Sequence, residues 1–277
     1  MKVAVLSGKG GVGKTLVAVN LAAAANARYV DCDVEEPNGH LFLTPTEVAA
    51  EQVTVTVPVV AAANCTGCRK CVDFCRFNAL AWVNDEVMVF EEACKSCGGC
   101  AVLCPSGAIT EERRVIGHVH RGVVNSVEAW GGAIRPGVVS GVPVVQQVLR
   151  DLPEDGLTVI DGPPGASCLA LETARAADYC LLVAEPTRFG VHNVAMIHQL
   201  TVAVDRPCGV VINKATDANT SVEELCAELG LPVLGRIPYD QQVALASSQG
   251  EVLAWQDEAQ RQVFVDILDR LGAVIGR

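Results

Sequence analysis

The sequence SGKGGVGKT at residues 7–15 decides the fold class. It follows a short apolar run at residues 3–6 and leads into an alanine-rich stretch at residues 14–25 that is typical of a helix. From Gly8 to Thr15 it satisfies the pattern G-x-x-x-x-G-K-[ST] between a strand and a helix, which is where a P-loop belongs. The stretch therefore predicts a binding site for the phosphates of a nucleotide.

Each residue type in this loop has a physical reason. Glycines let backbone N–H groups turn inward around a phosphate, and the N-terminus of the helix adds partial positive charge. We expect Lys14 to reach the β- and γ-phosphate oxygens and the Thr15 hydroxyl to ligate Mg²⁺. The expected backbone donors to the phosphates are Gly8, Gly10, Gly11, Val12 and Gly13.

Composition excludes several classes of protein. Of the 277 residues, 50% are apolar and only 19% are charged, so a well-buried core is expected. The net charge is −11, which disfavours binding to nucleic acid. The N-terminal apolar run is too short for a signal peptide, and no segment reaches the ~20 apolar residues of a membrane span. We therefore expect a cytoplasmic protein, in which thirteen cysteines indicate metal ligation rather than disulfides.

Short apolar strands alternate with helical stretches along most of the chain. This alternation predicts an α/β domain whose mostly parallel sheet is flanked by helices. The expected strands are residues 3–6, 28–33, 53–60, 113–124, 157–160, 179–184, 209–212 and 233–237. Residues 62–111 interrupt the pattern and carry eight of the thirteen cysteines. We expect a discontinuous domain, residues 1–61 and 112–277, with a small inserted α+β unit at residues 62–111, here called the cysteine module.

The cysteine module contains the pattern C-x₂-C-x₂-C-x₃-C twice, and each cysteine of the first copy recurs 29 positions later. This is the arrangement of bacterial two-cluster ferredoxins, in which the fourth cysteine of each run ligates the other [4Fe–4S] cluster. The resemblance implies two ligand sets. Cluster one would take Cys65, Cys68, Cys71 and Cys104, and cluster two would take Cys94, Cys97, Cys100 and Cys75. Zinc is the competing metal, because thiolate sets also bind Zn²⁺.

The two runs differ at one position. Arg76 follows Cys75 where proline is usual, whereas Pro105 follows Cys104. Proline shapes the turn without being a ligand, so we still expect two clusters, with a different potential for the one beside Arg76.

Several other Cys and His residues have simpler explanations. Cys32, Cys180, Cys208 and Cys226 lie in strand or helix patterns and are expected to be small buried apolar residues. His118 and His120 share one strand face, which we interpret as exposed surface rather than as a metal pair.

A second lysine early in the P-loop, Lys9, resembles the deviant Walker A motif of the MinD/ParA/nitrogenase-iron-protein group of P-loop ATPases. That resemblance implies a dimer that sandwiches two nucleotides, with Lys9 of each subunit reaching the phosphates of the partner's ATP. The dimer could be a homodimer or a heterodimer with a paralogue.

The same resemblance implies further site residues. Asp33 would position the attacking water, with Asp31 as the alternative, and Asp161 would end a strand and hold Mg²⁺ through water. Asn213, Lys214 and Pro238 match positions that contact adenine, and Tyr239 follows them. Cys168 lies seven residues after Asp161, the spacing of the intersubunit cluster cysteine in the nitrogenase iron protein. A structural role for this thiol stays open.

Taken together, the chain resembles MinD-superfamily ATPases that contain an inserted ferredoxin domain. The first hypothesis is a slow, dimer- or partner-stimulated ATPase that couples nucleotide-driven switching to electron transfer, or to metallocluster assembly, on a partner protein. The element expected to link the two sites is the segment from Asp161 to Cys168. The second hypothesis is a spatial organiser of the MinD/ParA type, with structural or redox-sensing clusters. The C-terminus carries no basic amphipathic helix for a membrane, which speaks against it.

Overall fold

The sheet can be traced in a computed structural model that describes residues 1–45, 48–216 and 218–276. The strands of these residues are β1 (Lys2–Ser7), β2 (Arg28–Asp31), β3 (Val48–Val60), β4 (Leu80–Val83), β5 (Glu86–Val89), β6 (Ile109–Val124), β7 (Val127–Ile134), β8 (Thr158–Pro164), β9 (Tyr179–Ala184), β10 (Cys208–Ala215) and β11 (Val233–Pro238). The helices are α1 (Lys14–Ala25), α2 (Lys70–Phe74), α3 (Gly99–Leu103), α4 (Val142–Arg150), α5 (Cys168–Ala176), α6 (Arg188–Ala203), α7 (Ser221–Leu229), α8 (Gln241–Ser248), α9 (Leu253–Gln256) and α10 (Glu258–Ile275).

Within the described ranges, nine strands form one sheet in the order β11-β10-β9-β1-β8-β2-β7-β6-β3. All pairs from β11 to β7 are parallel, whereas β6 runs antiparallel to both β7 and β3. The predicted α/β class with a mostly parallel sheet is therefore confirmed. Parallel strands end at one edge of a sheet, which is where such folds bind ligands. The P-loop after β1 lies at that edge.

Helices cover both faces of the sheet. On one face α1, α9 and α10 bury an apolar cluster that includes Leu21 and Phe264. On the other face α5, α6 and α7 cover β9 and β10. Because alanine side chains are small, α1 can pack closely against the sheet, and the helix is almost wholly buried. Cys32, Cys180, Cys208 and Cys226 are all buried, as predicted.

Most strands differ from their predicted bounds by a few residues. The largest differences are in three of them: β3 begins at Val48 rather than at residue 53, β6 begins at Ile109 rather than at residue 113, and β8 continues through Asp161 to Pro164. Asp161 therefore lies within its strand, and the expectation that it ends the strand is wrong. Pairing with β1 explains this, because Ser7 of β1 still pairs with Pro164 of β8 after a register shift.

A long two-stranded ribbon joins the cysteine module to the sheet. β3 and β6 pair from Val48 opposite Gly122 to Val60 opposite Ile109, with one register shift between Val53 and Thr54. β6 thus runs through the predicted boundary between residues 111 and 112. At the far end of the ribbon, Val60 and Ile109 pack against the core of the module, which includes Leu80.

The module itself has the two-fold repeat that the sequence indicates. The 3₁₀ turn Ala62–Asn64 and helix α2 recur 29 positions later as the turn Glu91–Ala93 and helix α3. Left-handed backbone recurs at the same offset, at Arg69 and Gly98. The two halves therefore share one backbone path as well as one cysteine pattern.

None of the helices in the described ranges is both long enough and apolar enough to cross a bilayer.

Candidate functional site

The P-loop wraps the N-terminus of α1 with little space to spare. Gly13 has a φ of 89°, the left-handed region that favours glycine. A Cβ at Gly13 would lie 2.1 Å from the Asn213 side-chain nitrogen, so no other residue fits there. Asn213 donates from that nitrogen to the carbonyl oxygen of Val12 at 2.8 Å. This hydrogen bond ties the end of β10 to the loop.

A buried ion pair lies beneath the loop. Lys14 donates from Nζ to Oδ1 of Asp161, and both side chains are almost fully buried. Tyr29 donates from its hydroxyl to Oδ2 of the same carboxylate at 3.0 Å. Burial alone would lower the pKa of Lys14, but Asp161 outweighs it and, with Asp33 and Asp31, raises that pKa. Lys14 therefore stays charged, as phosphate binding requires.

Two further carboxylates stand beside this pair. Asp31 accepts from the backbone N–H groups of Asp33 at 3.0 Å and Gly39 at 2.8 Å. Burial, reinforced by the charge of Asp161, raises the pKa of Asp31 to about 7. Burial also raises the pKa of Asp33 to about 6, although Lys14 opposes the shift. The cluster thus carries more negative charge than one lysine can balance, which suits a divalent cation.

Lys9 is held inside its own chain by a carboxylate that follows β9. Its Nζ lies 3.2 Å from Oε2 of Glu185. Lys214 lies 2.6 Å from Oε1 of the same residue and donates to the Gly11 carbonyl oxygen at 3.1 Å. Burial opposes ionisation of Glu185, but its hydrogen bonds from Lys214 and Lys9 outweigh burial and lower its pKa. Glu185 therefore connects Lys9 of the P-loop with Lys214 near the end of β10.

A cavity of about 230 Å³ opens beside the loop at the ends of β10 and β11. Its lining includes the residues predicted to contact adenine, namely Asn213, Lys214, Pro238 and Tyr239. Gly11, Gly13 and Leu16 form the side nearest the phosphate site. The structure therefore brings the expected base contacts together next to the P-loop.

The cysteines of the module surround two cavities, and each cavity draws on both runs. The first cavity is lined by Cys65, Cys68, Cys71 and Cys104. The second is lined by Cys75, Cys94, Cys97 and Cys100. These are the two sets that the ferredoxin pattern implies. The second cavity has about 140 Å³ of space and the first about 10 Å³, so side chains around the first must move outward to admit a cluster.

The thiols stand around these cavities rather than around a point. Among the described residues, no three His, Cys, Asp or Glu side chains converge closely enough to hold a single metal ion. A four-iron cluster takes one thiolate on each iron and therefore needs thiols spread around a volume. The donor chemistry of both cavities fits such a cluster, and the available space fits it at the second.

The other predicted residues are more scattered. Thr15 is half-buried in the first turn of α1, as expected for a residue near the phosphates. Cys168 is exposed at the start of α5. His118 is exposed as expected, but His120 is half-buried, with its ring 2.8 Å from where a Gly131 Cβ would stand. The absence of a side chain at Gly131 makes room for it.

Sequence reasoning missed Tyr29 and Glu185. A signal for Glu185 was present, because it directly follows an apolar strand at the edge where ligands bind. The signal for Tyr29 was weaker: its hydroxyl group lies two residues before Asp31, on the same face of β2.

The raised pKa of Asp33 predicts that the free energy of unfolding depends on pH. An acid whose pKa rises on folding stabilises the fold at low pH, and this contribution is lost as the pH climbs from about 4 through about 6. In protein without nucleotide and with a chelator present, Asp33→Asn should raise the free energy of unfolding by about 1 kcal/mol at about pH 7.5, with little effect at about pH 4. Urea unfolding at both pH values measures this.

Glu35→Gln is the matched control for Asp33→Asn, because Glu35 is exposed two residues away. Its charge is solvated in the folded and unfolded protein, so no gain is expected. An equal gain in both variants would show that the effect is one of net charge and not of this site.

Comparison with known proteins agrees with this geometry. The uncharacterized protein MJ0579 of Methanocaldococcus jannaschii is 26% identical over 259 residues, which is 91% of this chain and 90% of that protein. The uncharacterized protein MJ0578 of the same organism is 29% identical over 199 residues, 70% of each chain. The crystal structure of the cell division ATPase MinD of Pyrococcus furiosus has a TM-score of 0.61 at 17% identity and covers 99% of this chain and 98% of that one. This last likeness is one of fold.

The family profile described as the CobQ/CobB/MinD/ParA nucleotide binding domain matches residues 3–253. That range holds the P-loop, the four acidic and basic residues gathered beneath it, and the cavity beside β10 and β11. The chain therefore belongs to the CobQ/CobB/MinD/ParA family of nucleotide binding domains.

Proposed function

We propose that this protein is an ATP-hydrolysing iron–sulfur protein. Binding and hydrolysis of ATP would switch a dimer and thereby control electron transfer, or metallocluster assembly, on a partner protein. The observation that carries the proposal is that one chain combines a P-loop with two cavities, each lined by four cysteines drawn from both runs of the module. The spread of the thiols around each cavity supports iron–sulfur clusters over zinc, because a single Zn²⁺ ion would hold all its thiolate sulfurs at about 2.3 Å from one point.

At the nucleotide site, each residue has a defined task. The P-loop backbone would bind the phosphates, and Asn213 and Pro238 would flank the base in the adjoining cavity. Lys14 would exchange its bond to Asp161 for phosphate oxygens. Thr15 and the released Asp161 would hold Mg²⁺, which neutralises charge on the transferred phosphoryl group. Asp33 is half-buried and close to Lys14, and it would orient the attacking water.

Lys9 would act in the partner subunit. In the single chain it is paired with Glu185, and this pair must open before Lys9 can reach across a dimer interface. The pair is partly exposed, so opening it costs little. Glu185 and Lys214 would then remain together beside the P-loop. Dimer closure would thus couple the position of β9 to the nucleotide.

Packed side chains and paired strands connect the nucleotide site to the cysteine module. Ile160 and Leu169, at the two ends of the segment expected to link the sites, share one apolar cluster with Val53 of β3 and Ile116 of β6. β3 and β6 continue from there into the cysteine module. A shift of Asp161 on nucleotide binding would therefore press on the ribbon. The clusters, when bound, would supply one-electron transfer.

Removing Lys9 tests the dimer. Lys9→Ala should leave ATP binding largely intact, because Lys14 keeps the main phosphate contact, but it should abolish dimer-dependent hydrolysis. Steady-state phosphate release at increasing protein concentration measures this, with calorimetric binding of ATP in parallel. Lys14→Ala is the control that should lose binding itself. Normal hydrolysis by Lys9→Ala would rule out the sandwich dimer.

Paired cysteine variants test the crossed ligand sets. Cys71→Ser with Cys104→Ser removes two ligands of one set, so about four of the about eight irons should remain after anaerobic reconstitution. Cys71→Ser with Cys75→Ser touches both sets and should lose both clusters. Iron and sulfide analysis with EPR reads the outcome.

Cys226→Ser is the control for these variants, because Cys226 is buried in the core away from the module. It should keep both clusters. If each run held its own cluster, the two double variants would exchange results, and the crossed arrangement would be wrong.

Coupling between the two sites has its own test. In an anaerobic EPR redox titration, MgATP should shift the midpoint potential of at least one cluster by on the order of tens of millivolts. Lys14→Ala should abolish the shift and keep both signals. If the midpoint potentials of both clusters stay unchanged in the wild type, electron transfer gated by ATP is ruled out and cluster assembly is favoured.

A spatial organiser is the second candidate. The observation that favours it is the likeness of fold, over 99% of this chain, to a cell division ATPase. The net charge of −11 speaks against binding to DNA or to an anionic membrane, the two surfaces on which such an organiser would act. Cosedimentation with anionic liposomes and with DNA, with and without MgATP, separates the candidates: ATP-dependent binding to either would support the organiser.

A further inference from the structure

We propose that an acidic electron-carrier protein docks on the part of the cysteine module around the second cavity. This surface, the second-cavity face, consists of Phe74, Arg76, Phe77, Lys95 and Cys97, all of which line that cavity. The proposal rests on the proposed function, because an electron carrier needs a cluster to meet. It goes further by naming the surface and the chemistry of the partner.

The second-cavity face is unusually apolar for an exposed surface. Phe74 and Phe77 are 45% and 49% exposed, although both rings border the thiols of the cavity. The Phe74 ring also rests against the backbone of α3 at Gly99, where a Cβ would overlap it. Exposed aromatic rings are common anchors of protein interfaces.

The charges on the second-cavity face are positive in excess. Arg76 and Lys95 are exposed, and neither makes an ion pair within residues 1–45, 48–216 and 218–276. One carboxylate, Glu111, lines the same cavity. Glu91 and Glu92 line the adjoining hollow together with Lys95, and Arg114 pairs with both of them, at 3.2 and 3.4 Å. Arg76 and Lys95 are therefore the cations of the second cavity that carry no ion pair in the described part of the chain, beside one carboxylate in its lining.

The first cavity lacks the aromatic part of this face. Two cations, Arg69 and Lys70, line it as well, but the Arg69 guanidinium stacks over Trp82 at 5.0 Å. Among the described residues, no phenylalanine lines this cavity. The replacement of the usual proline by Arg76 thus places an extra cation at the second cavity and not at the first.

These features identify the partner by its chemistry. It is a small protein with an acidic surface around a one-electron group, since opposite charge steers encounter and a small apolar patch suits a transient redox contact. One electron crosses in each encounter: the carrier's group loses it and the nearby cluster gains it, or the reverse. No bond forms or breaks and no proton is transferred.

The test uses the reconstituted full chain and an acidic plant-type [2Fe–2S] ferredoxin as the probe. Calorimetric titration at low ionic strength should show binding to the wild type that weakens as salt is added. Arg76→Glu with Lys95→Glu should weaken it by about tenfold or more, and Phe77→Ser should weaken it at every salt concentration. A basic cytochrome c should not lose affinity for the charge-reversed variant.

The matched control is Arg135→Glu with Arg206→Glu, which makes the same change in net charge at two exposed residues that line neither cysteine cavity. It should bind the ferredoxin nearly as well as the wild type. Equal weakening in this control, unchanged binding after charge reversal at Arg76 and Lys95, or no binding by the wild type would each overturn the docking proposal.

Iron content and EPR of every variant keep the two proposals apart. Wild-type protein with both clusters that fails to bind the ferredoxin sinks the docking proposal alone. Wild-type protein that takes up no clusters after reconstitution sinks the proposed function, and docking falls with it.

Discussion

The buried contact between Lys14 and Asp161 is the interaction on which the nucleotide site depends. It exists because β1 and β8 are neighbours, so the lysine that begins α1 reaches the carboxylate of the adjacent strand. Removing one member of such a pair leaves an uncompensated buried charge, which costs about 3–5 kcal/mol. Two residues of the next strand join the pair: Tyr29 donates to Asp161, and Lys14 offsets part of the negative charge of Asp31. The pair therefore organises three strands and the loop at once.

Sequence reasoning succeeded where the signal is local. The P-loop and the buried cysteines follow from short patterns, and the structure places them as expected. Tyr29 and Glu185 depend instead on which strands are neighbours, and a single strand pattern does not contain that information. The start of β6 was hidden for a related reason: residues 110–112 are all polar, so they show no apolar alternation. They form a strand because β3 pairs with them.

The β3–β6 ribbon changes how the insertion should be viewed. A module on a flexible tether would move independently of the sheet. Here both connections to the module are strands of the sheet itself, and they pair over their whole length outside it. Arg114 of β6 adds a contact to Glu91 and Glu92, just before Cys94. The module is therefore positioned by the same hydrogen-bonded ladder that supports the carboxylates of the nucleotide site.

The crossing of cysteines between the two cavities has a consequence for how the module assembles. Cys75 of the first run lines the cavity of the second run, and Cys104 of the second run lines the cavity of the first. Neither half has a full ligand set by itself, so neither can mature as an independent unit. A cluster bound at one cavity would fix one residue of the opposite run. Loading of either cavity would then assist loading of the other, although each cavity keeps a complete ligand set of its own.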